Sequence, residues 1–328
     1  MSEVTARAVY FTGEKRVEVQ TVAVEPAPED VLVTSRLIGI SHGTELLCYR
    51  GQLPEVDSEE TLGSLPSSLS YPLRYGYINV GERRDGGRVF AFYPHQDRFA
   101  LPETETVALP AGLGDEDAVF LASMETALGI VHDASPRLGE IVAVFGTGVV
   151  GLLTAALLVR SGARVIAVEP AAFRRATASE LGCAVVDPES EDARARLRAE
   201  NDGNGVDVAI NTSGSDAGLQ AAIDAVSVEG LVVEASWHGA AASTLRLGDA
   251  FHRRRITVRS SQVSRLAPTL MPRWSKQRRL RLAMELLQEV TPRRFISHRF
   301  ALSEAARAFE LVDSDPSNTL QVVLDPRR

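Results

Sequence analysis

The stretch Ile141-Val142-Ala143-Val144-Phe145-Gly146-Thr147-Gly148-Val149-Val150-Gly151 decides the reading of this chain. Its first five residues are all apolar and predict a buried strand. The glycines that follow have the spacing G-x-G-x-x-G, and the apolar run from Val149 to Ser161 predicts a helix. A glycine triplet alone is a weak signal; between a strand and a helix it has the context of a dinucleotide-binding turn. Gly146 permits the tight turn, Gly148 lets backbone approach a pyrophosphate, and Gly151 lets helix and strand pack closely. The helix N-terminus offers free N–H groups and a partial positive charge to phosphate.

Arg164 to Val168 predicts the next strand. Glu169 stands at its tip, about 20 residues beyond the last glycine. A carboxylate there can accept both ribose hydroxyls of NAD and would repel the 2′-phosphate of NADP. Arg174 and Arg175 follow, and arginines are what NADP sites use, so NADP remains the lesser alternative. The bland alternative is a glycine turn that binds nothing.

Outward from this unit the chain alternates strand and helix. Helix is predicted over Phe173 to Leu181 and Leu219 to Val226, and strand over Val206 to Ile210 and Leu231 to Glu234. That alternation predicts a parallel sheet covered on both faces. Before it, Asp115 to His132 predicts one helix. Earlier still the pattern is β: Ala8 to Phe11, Val17 to Val22, a strand from Val31 ending near Gly39, Tyr75 to Val80, and Arg88 to Phe92, with a surface loop from Gly51 to Ser70. Such a region suggests a barrel-like domain. Near the end, Arg278 to Glu289 predicts an amphipathic helix, and Thr319 to Leu324 a strand able to return to the first domain.

Composition narrows the function classes. The chain has 328 residues, enough for two domains, and its 45% hydrophobic content can fill two cores. A net charge of -8 disfavours nucleic acid and anionic membrane as partners. Two cysteines, Cys48 and Cys183, can build neither a disulfide framework nor a four-cysteine zinc lobe. The start Met1-Ser2-Glu3-Val4-Thr5 lacks a signal-peptide pattern and no apolar run spans a membrane, so a cytoplasmic protein is expected. No Gly-x-Ser-x-Gly or Ser-His-Asp arrangement supports hydrolase chemistry.

Over nearly its whole length the chain resembles the medium-chain dehydrogenase/reductase superfamily, which holds zinc alcohol dehydrogenases and zinc-free quinone reductases. The resemblance lies in Arg7-Ala8-Val9-Tyr10-Phe11, Pro26-Ala27-Pro28-Glu29-Asp30-Val31-Leu32-Val33, Gly39-Ile40, Glu125-Thr126-Ala127 and the glycine turn. Glu125-Thr126-Ala127-Leu128, Trp237-His238-Gly239 and Ser260-Ser261-Gln262-Val263 look similar to a subgroup related to bacteriochlorophyllide hydroxyethyl dehydrogenases. The resemblance implies an α/β fold: a Rossmann doubly wound sheet at 116–267 inserted into a mainly β, GroES-like catalytic domain made of 1–115 plus 268–328, with the active site in the cleft. It also implies a homodimer through the segment from Ile256 to Val263, and places Thr212 and His238, each just after a Rossmann strand, among the cofactor-binding residues.

The chain departs from the zinc-dependent pattern, keeping a possible ligand, His42, at one of the three ligand positions and holding Tyr77 and Ala122 at the other two. Where they carry Cys-Gly-Thr-Asp it has Ser41-His42-Gly43-Thr44-Glu45, where they carry Gly-His-Glu it has Gly76-Tyr77-Ile78, and their third ligand position holds Ala122. No catalytic zinc is expected. A side chain must then handle the substrate proton and oxygen. His42 is the first candidate, since an imidazole's unperturbed pKa of about 6.5 suits proton exchange near neutrality; it could instead bond the loop backbone. Thr44 matches the relay hydroxyl of zinc-dependent relatives, or caps the helix beginning at Glu45. Tyr77 could bond the substrate oxygen or simply line the core. His95 sits in what reads as a polar loop. Glu125 in an apolar helix must be paired or pKa-shifted. Cys48 has nothing nearby to mark a thiolate.

Three readings stay open: an NAD-dependent, zinc-free dehydrogenase of secondary alcohols or ketones; an NADPH-dependent enone or quinone reductase; and a dinucleotide-binding protein without turnover. Leu53, Leu65, Leu69, Leu270, Met271 and Trp274, in the loop from Gly51 to Ser70 and the segment from Arg265 to Trp274, hint at a large apolar substrate or at a dimer contact.

Overall fold

The computed structural model describes residues 4–53, 70–190 and 192–328. Strands β1 (Val4–Gly13), β2 (Arg16–Val24) and β3 (Asp30–Ile40) lead to helix α1 (Thr44–Tyr49), then β4 (Asn79–Arg83), β5 (Arg88–Ala91), β6 (Arg98–Pro102) and β7 (Thr106–Ala108). Helices α2 (Asp115–Ala118) and α3 (Leu121–Ala134) precede β8 (Ile141–Phe145), α4 (Val149–Arg160), β9 (Arg164–Val168), α5 (Ala172–Glu180), β10 (Ala184–Val186), α6 (Ala193–Gly203), β11 (Val206–Asn211), α7 (Asp216–Ala225), β12 (Val226–Glu234) and β13 (Thr257–Ser260). The chain closes with α8 (Lys276–Val290), β14 (Ile296–Ala301), α9 (Ala305–Ser314) and β15 (Gln321–Asp325). Two compact units result: one runs to Ala122 and resumes at Met284, and the other is Ser123–Ala283.

In the first unit β1 and β2 form an antiparallel ribbon whose inward residues include Val9, Phe11 and Val17. The remaining strands make one sheet in the order β14-β15-β3-β4-β5-β7, with β6 also on β3. The expected return of the C-terminus is realised: β15 runs antiparallel to β3, with Val323 opposite Gly39. The apolar face of α9, Phe309 foremost, packs with Phe11 and Tyr49 against this sheet.

The second unit is a six-stranded, wholly parallel sheet ordered β10-β9-β8-β11-β12-β13. Winding starts at β8, runs outward to β10, then reverses to β11 and outward to β13. Ligands of such sheets bind where that reversal falls, beyond the strands' carboxyl ends. All five residues of β8 are buried, as a strand covered on both faces must be. This doubly wound α/β sheet, inserted in sequence between the two parts of a mainly β unit, is the fold class that the resemblance implied.

Two predicted elements differ. Asp115 to His132 is two helices, because the chain leaves helical register at Val119–Phe120, where Phe120 N–H returns to Asp117 O in a tighter turn. The apolar residues across this break are all buried, so their spacing hid it. The strand expected over Tyr75 to Val80 begins only at Asn79, since Gly76 has φ +123. The surface loop expected from Gly51 to Ser70, with Leu65 and Leu69, lies largely outside the described residues.

Candidate active site

The glycine cradle sits at the carboxyl end of β8. A Cβ on Gly151 would lie 2.1 Å from Gly146 O and 2.7 Å from Thr212 Oγ1, so only glycine lets α4 start against the turn. Gly148, the residue before α4, faces open space instead: a Cβ there would meet nothing within 4 Å. The amides of Val149, Val150 and Gly151 come before the first intrahelical bond, Leu152 N–H to Gly148 O, and are available to an anion. Thr212 supports the turn from β11, its hydroxyl donating to Gly146 O at 2.6 Å.

Glu169 is where the sequence placed it, at the end of β9, but it is 3% exposed and already engaged. One oxygen accepts from Thr147 N–H at 2.7 Å and lies 3.2 Å from Thr147 Oγ1; the other accepts from Ala171 N–H at 3.0 Å. Arg174 lies 4.0 Å from the same carboxylate. Burial pulls its guanidinium below the ordinary arginine range, while Glu169 pulls the other way. Arg175 is committed to Glu169 O and to Asp187. Between the ends of β8 and β9 and helices α6 and α7 lies a hollow of about 110 Å³ with Phe145, Val168, Pro188 and Leu197 in its wall and Arg194 and Asp224 beside them.

At the ends of β11 and β12 is a polar cluster of which the sequence analysis named His238 but not Asn211 or Glu234. Buried Asn211 donates to Glu234 at 2.7 Å and accepts from Ser213 Oγ at 2.7 Å. Glu234 also accepts from Ser236 N–H at 2.8 Å. His238 lies 3.6 Å from Glu234 and 3.7 Å from Asp216. The signal available was a polar residue closing each of two apolar strands, Asn211 and Glu234. Glu125 is paired, as its setting in an apolar helix required: Arg279, 1% exposed, donates twice to it and also to the carbonyls of Val263 and Arg265.

In the first unit, three of the four candidate catalytic residues cluster with a residue that sequence reasoning missed. The turn Ser41-His42-Gly43 links β3 to α1, and Tyr77 precedes β4. Tyr77 Oη donates to Ser41 Oγ at 2.6 Å. Burial pushes the phenol up to about 12, Glu45 adds to the push, and the hydroxyls of Ser41 and Thr44 pull it back. Thr44 is not a helix cap; the cap position is Gly43, with no side-chain bond. His95 is not in a polar, open loop: it is fully buried, as is Glu45, and the two meet at 2.7 Å. Burial also pushes the Cys48 thiol up to about 12, which agrees with an inert cysteine. His42 is half-buried in its turn.

Of the three zinc-ligand positions compared above, His42 carries an imidazole, Ala122 has no side-chain donor atom and Tyr77 is bonded to Ser41; nearby, Glu45 and His95 bond each other. Among the described residues no three His, Cys, Asp or Glu side chains are grouped as metal ligands. Among them, too, no helix is long and apolar enough to cross a membrane.

Known proteins share this architecture. A family model described as "Zinc-binding dehydrogenase" matches residues 149–284. The 2-desacetyl-2-hydroxyethyl bacteriochlorophyllide A dehydrogenase of Cereibacter sphaeroides is 27% identical over 98% of this chain and 98% of its own. Among solved structures, an alcohol dehydrogenase of Escherichia coli CFT073 complexed with NADH has a TM-score of 0.78 at 17% identity, covering 98% of this chain and 99% of its own. A dehydrogenase of Sinorhizobium meliloti 1021 bound to NADP has a TM-score of 0.76 at 23% identity, covering 98% and 100%.

Proposed function

Because this chain belongs to the medium-chain dehydrogenase/reductase superfamily, whose members are oxidoreductases, we propose that it transfers a hydride between NAD(H) and a secondary alcohol or its ketone without a catalytic zinc. The observation that carries the cofactor half is Glu169: an anion at the end of β9, touching the amide of Thr147 in the cradle itself. A carboxylate there favours ribose hydroxyls over a 2′-phosphate. The open approach at Gly148 and the free amides of α4 would hold the pyrophosphate, and the apolar hollow beside Phe145 and Val168 suits a flat adenine ring. The bound cofactor supplies the hydride acceptor or donor.

The chain's own contribution is the hydroxyl cluster. With its pKa near 12, Tyr77 stays protonated at neutral pH; its one hydrogen goes to Ser41 Oγ, and with the Ser41 hydroxyl turned to donate in its place Tyr77 can donate to a substrate oxygen and steady charge that develops there. Ser41 and Thr44 link that hydroxyl to the turn carrying His42, which exchanges the proton. The bacteriochlorophyllide relative is named for a hydroxyethyl-bearing molecule, which supports a secondary alcohol and, with exposed Met271, a large apolar substrate. Assembly belongs to the same proposal: β13 is an edge strand with all four residues exposed, and a second copy of the chain would cover it as a homodimer.

A second reading rests on Arg174. A guanidinium 4.0 Å from Glu169 could turn to a 2′-phosphate, and one solved neighbour holds NADP; that would favour an NADPH-dependent enone or quinone reductase. Fluorescence titration with NADH and with NADPH decides between the two. A tighter Kd for NADH is expected; a tighter Kd for NADPH would overturn the first reading.

A further inference from the structure

Resting on the hydride-transfer reading above, we propose that Glu45 and His95 are a positioning pair that fixes the Thr44 and Tyr77 hydroxyls on the substrate oxygen. Each member lies next to one of the two hydroxyl carriers. Glu45 follows Thr44 in the first turn of α1. The His95 ring lies flat against Gly76, the residue before Tyr77: a Cβ on Gly76 would fall 2.5 Å from Cε1 and 2.6 Å from both ring nitrogens. The single bond of 2.7 Å between His95 Nε2 and Glu45 Oε2 therefore staples α1 to the Gly76–Tyr77 segment. Across that staple Tyr77 Oη reaches Ser41 Oγ at 2.6 Å.

Stability alone does not account for such a pair. Both side chains are 0% exposed, and neither Glu45 Oε1 nor His95 Nδ1 has a hydrogen-bond partner among the described residues. Two polar groups are thus withdrawn from water for one bond, an arrangement that apolar residues of similar volume commonly match or exceed in stability. What apolar residues cannot supply is direction. A bond between fixed atoms sets the orientation of α1 relative to Tyr77, and small misplacements at a reacting centre lower turnover steeply. Neither residue touches solvent, so neither acts on substrate itself; they act through Thr44 and Tyr77.

The test uses Glu45→Gln, His95→Phe and the double variant Glu45→Met/His95→Phe in the full-length protein. Turnover is read with NAD and a panel of secondary alcohols headed by 1-phenylethanol, alongside the thermal midpoint, the Kd for NADH, and the Tyr77 ring signal in protein labelled with carbon-13 at tyrosine Cζ, assigned through Tyr77→Phe. The expected result is a kcat lower by on the order of 100-fold in the variants that fold, with KM and Kd for NADH changed by no more than about twofold. The double variant recovers the thermal midpoint without recovering kcat, and the Tyr77 signal moves in every variant. A double variant with the kcat of the unaltered protein and an unmoved Tyr77 signal would reduce the pair to packing and overturn the inference. If the unaltered protein binds NADH but turns over no alcohol, the hydride-transfer reading fails instead. The Tyr77 signal then decides alone, and its failure to move overturns the pairing as well.

Discussion

Replacing Glu169 by Ala removes the acceptor for the Thr147 N–H and, with it, an anion from the end of β9. The buried amide left without a partner costs about 1–3 kcal/mol of stability. Affinity for NADH should fall about tenfold, the scale of one lost charge-assisted bond, while affinity for NADPH falls less or rises. Parallel fluorescence titrations check this; equal losses for both cofactors would remove Glu169 as the selector. At Cys48 the thiol, raised to about 12 by burial first and by Glu45 second, should resist alkylation in the native protein at pH 8 and react only on unfolding. Rapid modification of native protein by iodoacetamide at that position would contradict the burial. Glu169 was legible in the sequence because it follows directly on an apolar strand at a set distance from the glycines. The partnership of Glu45 with His95 was not, because the two are 50 positions apart and only the fold brings them together.

Two glycines of the cradle, Gly151 and Gly148, do different work for α4, and substitution separates them. Gly151→Ala drives a Cβ into the Gly146 carbonyl at 2.1 Å, a backbone atom that cannot step aside, so α4 must leave β8. A destabilisation of about 1–3 kcal/mol or more is expected, seen as a lower urea midpoint. Gly148→Ala meets nothing and should leave that midpoint unchanged, yet it places a methyl group where a pyrophosphate would approach and should weaken NADH binding. If Gly148→Ala binds NADH as the unaltered protein does, the phosphates lie elsewhere. Element by element, the strand and helix around the cradle were readable because each is an apolar run and the glycines mark the turn between them. The break at Val119–Phe120 was not, since burial on both sides of it keeps the residues apolar and erases the contrast that marks a helix end.

Across the molecule, the carboxylates held low against the tendency of burial to raise them are concentrated in the first unit. Arg36 and Arg88 hold Asp115 down, Lys15 and Arg50 hold Asp313, and Arg327 holds Asp325. A carboxylate whose folded pKa is depressed adds stability that is complete above its unfolded value, about 3.9 for aspartate, and is lost as the pH falls through the folded value. The urea midpoint should therefore be flat from neutral pH to about pH 5 and decline below about pH 4. Asp313→Asn should lower the neutral plateau and make the acid decline shallower. A midpoint unaltered at about pH 3 would show that these ion pairs add nothing to the fold. The two-unit plan could be read from the change of pattern along the chain. The neighbours in space at the ends of β11 and β12 could not, because Asn211 and Glu234 meet only once two separate strands lie side by side.

The pairing of β15 with β3 also has a consequence for how the chain is made. Gln321 Nε2 donates to Ile40 O across 281 positions, so that seam cannot close until β15 has been made. At about 5–20 residues per second the gap is on the order of tens of seconds. In that interval the parallel sheet, contiguous from Ser123 to Ala283, can emerge and fold, while the stretch of β3 from Ile38 to Ile40 waits without its C-terminal neighbour. The growing chain thus carries a folded parallel sheet and, in its other unit, an open strand edge, and it is in that window that chaperones or aggregation would compete for it.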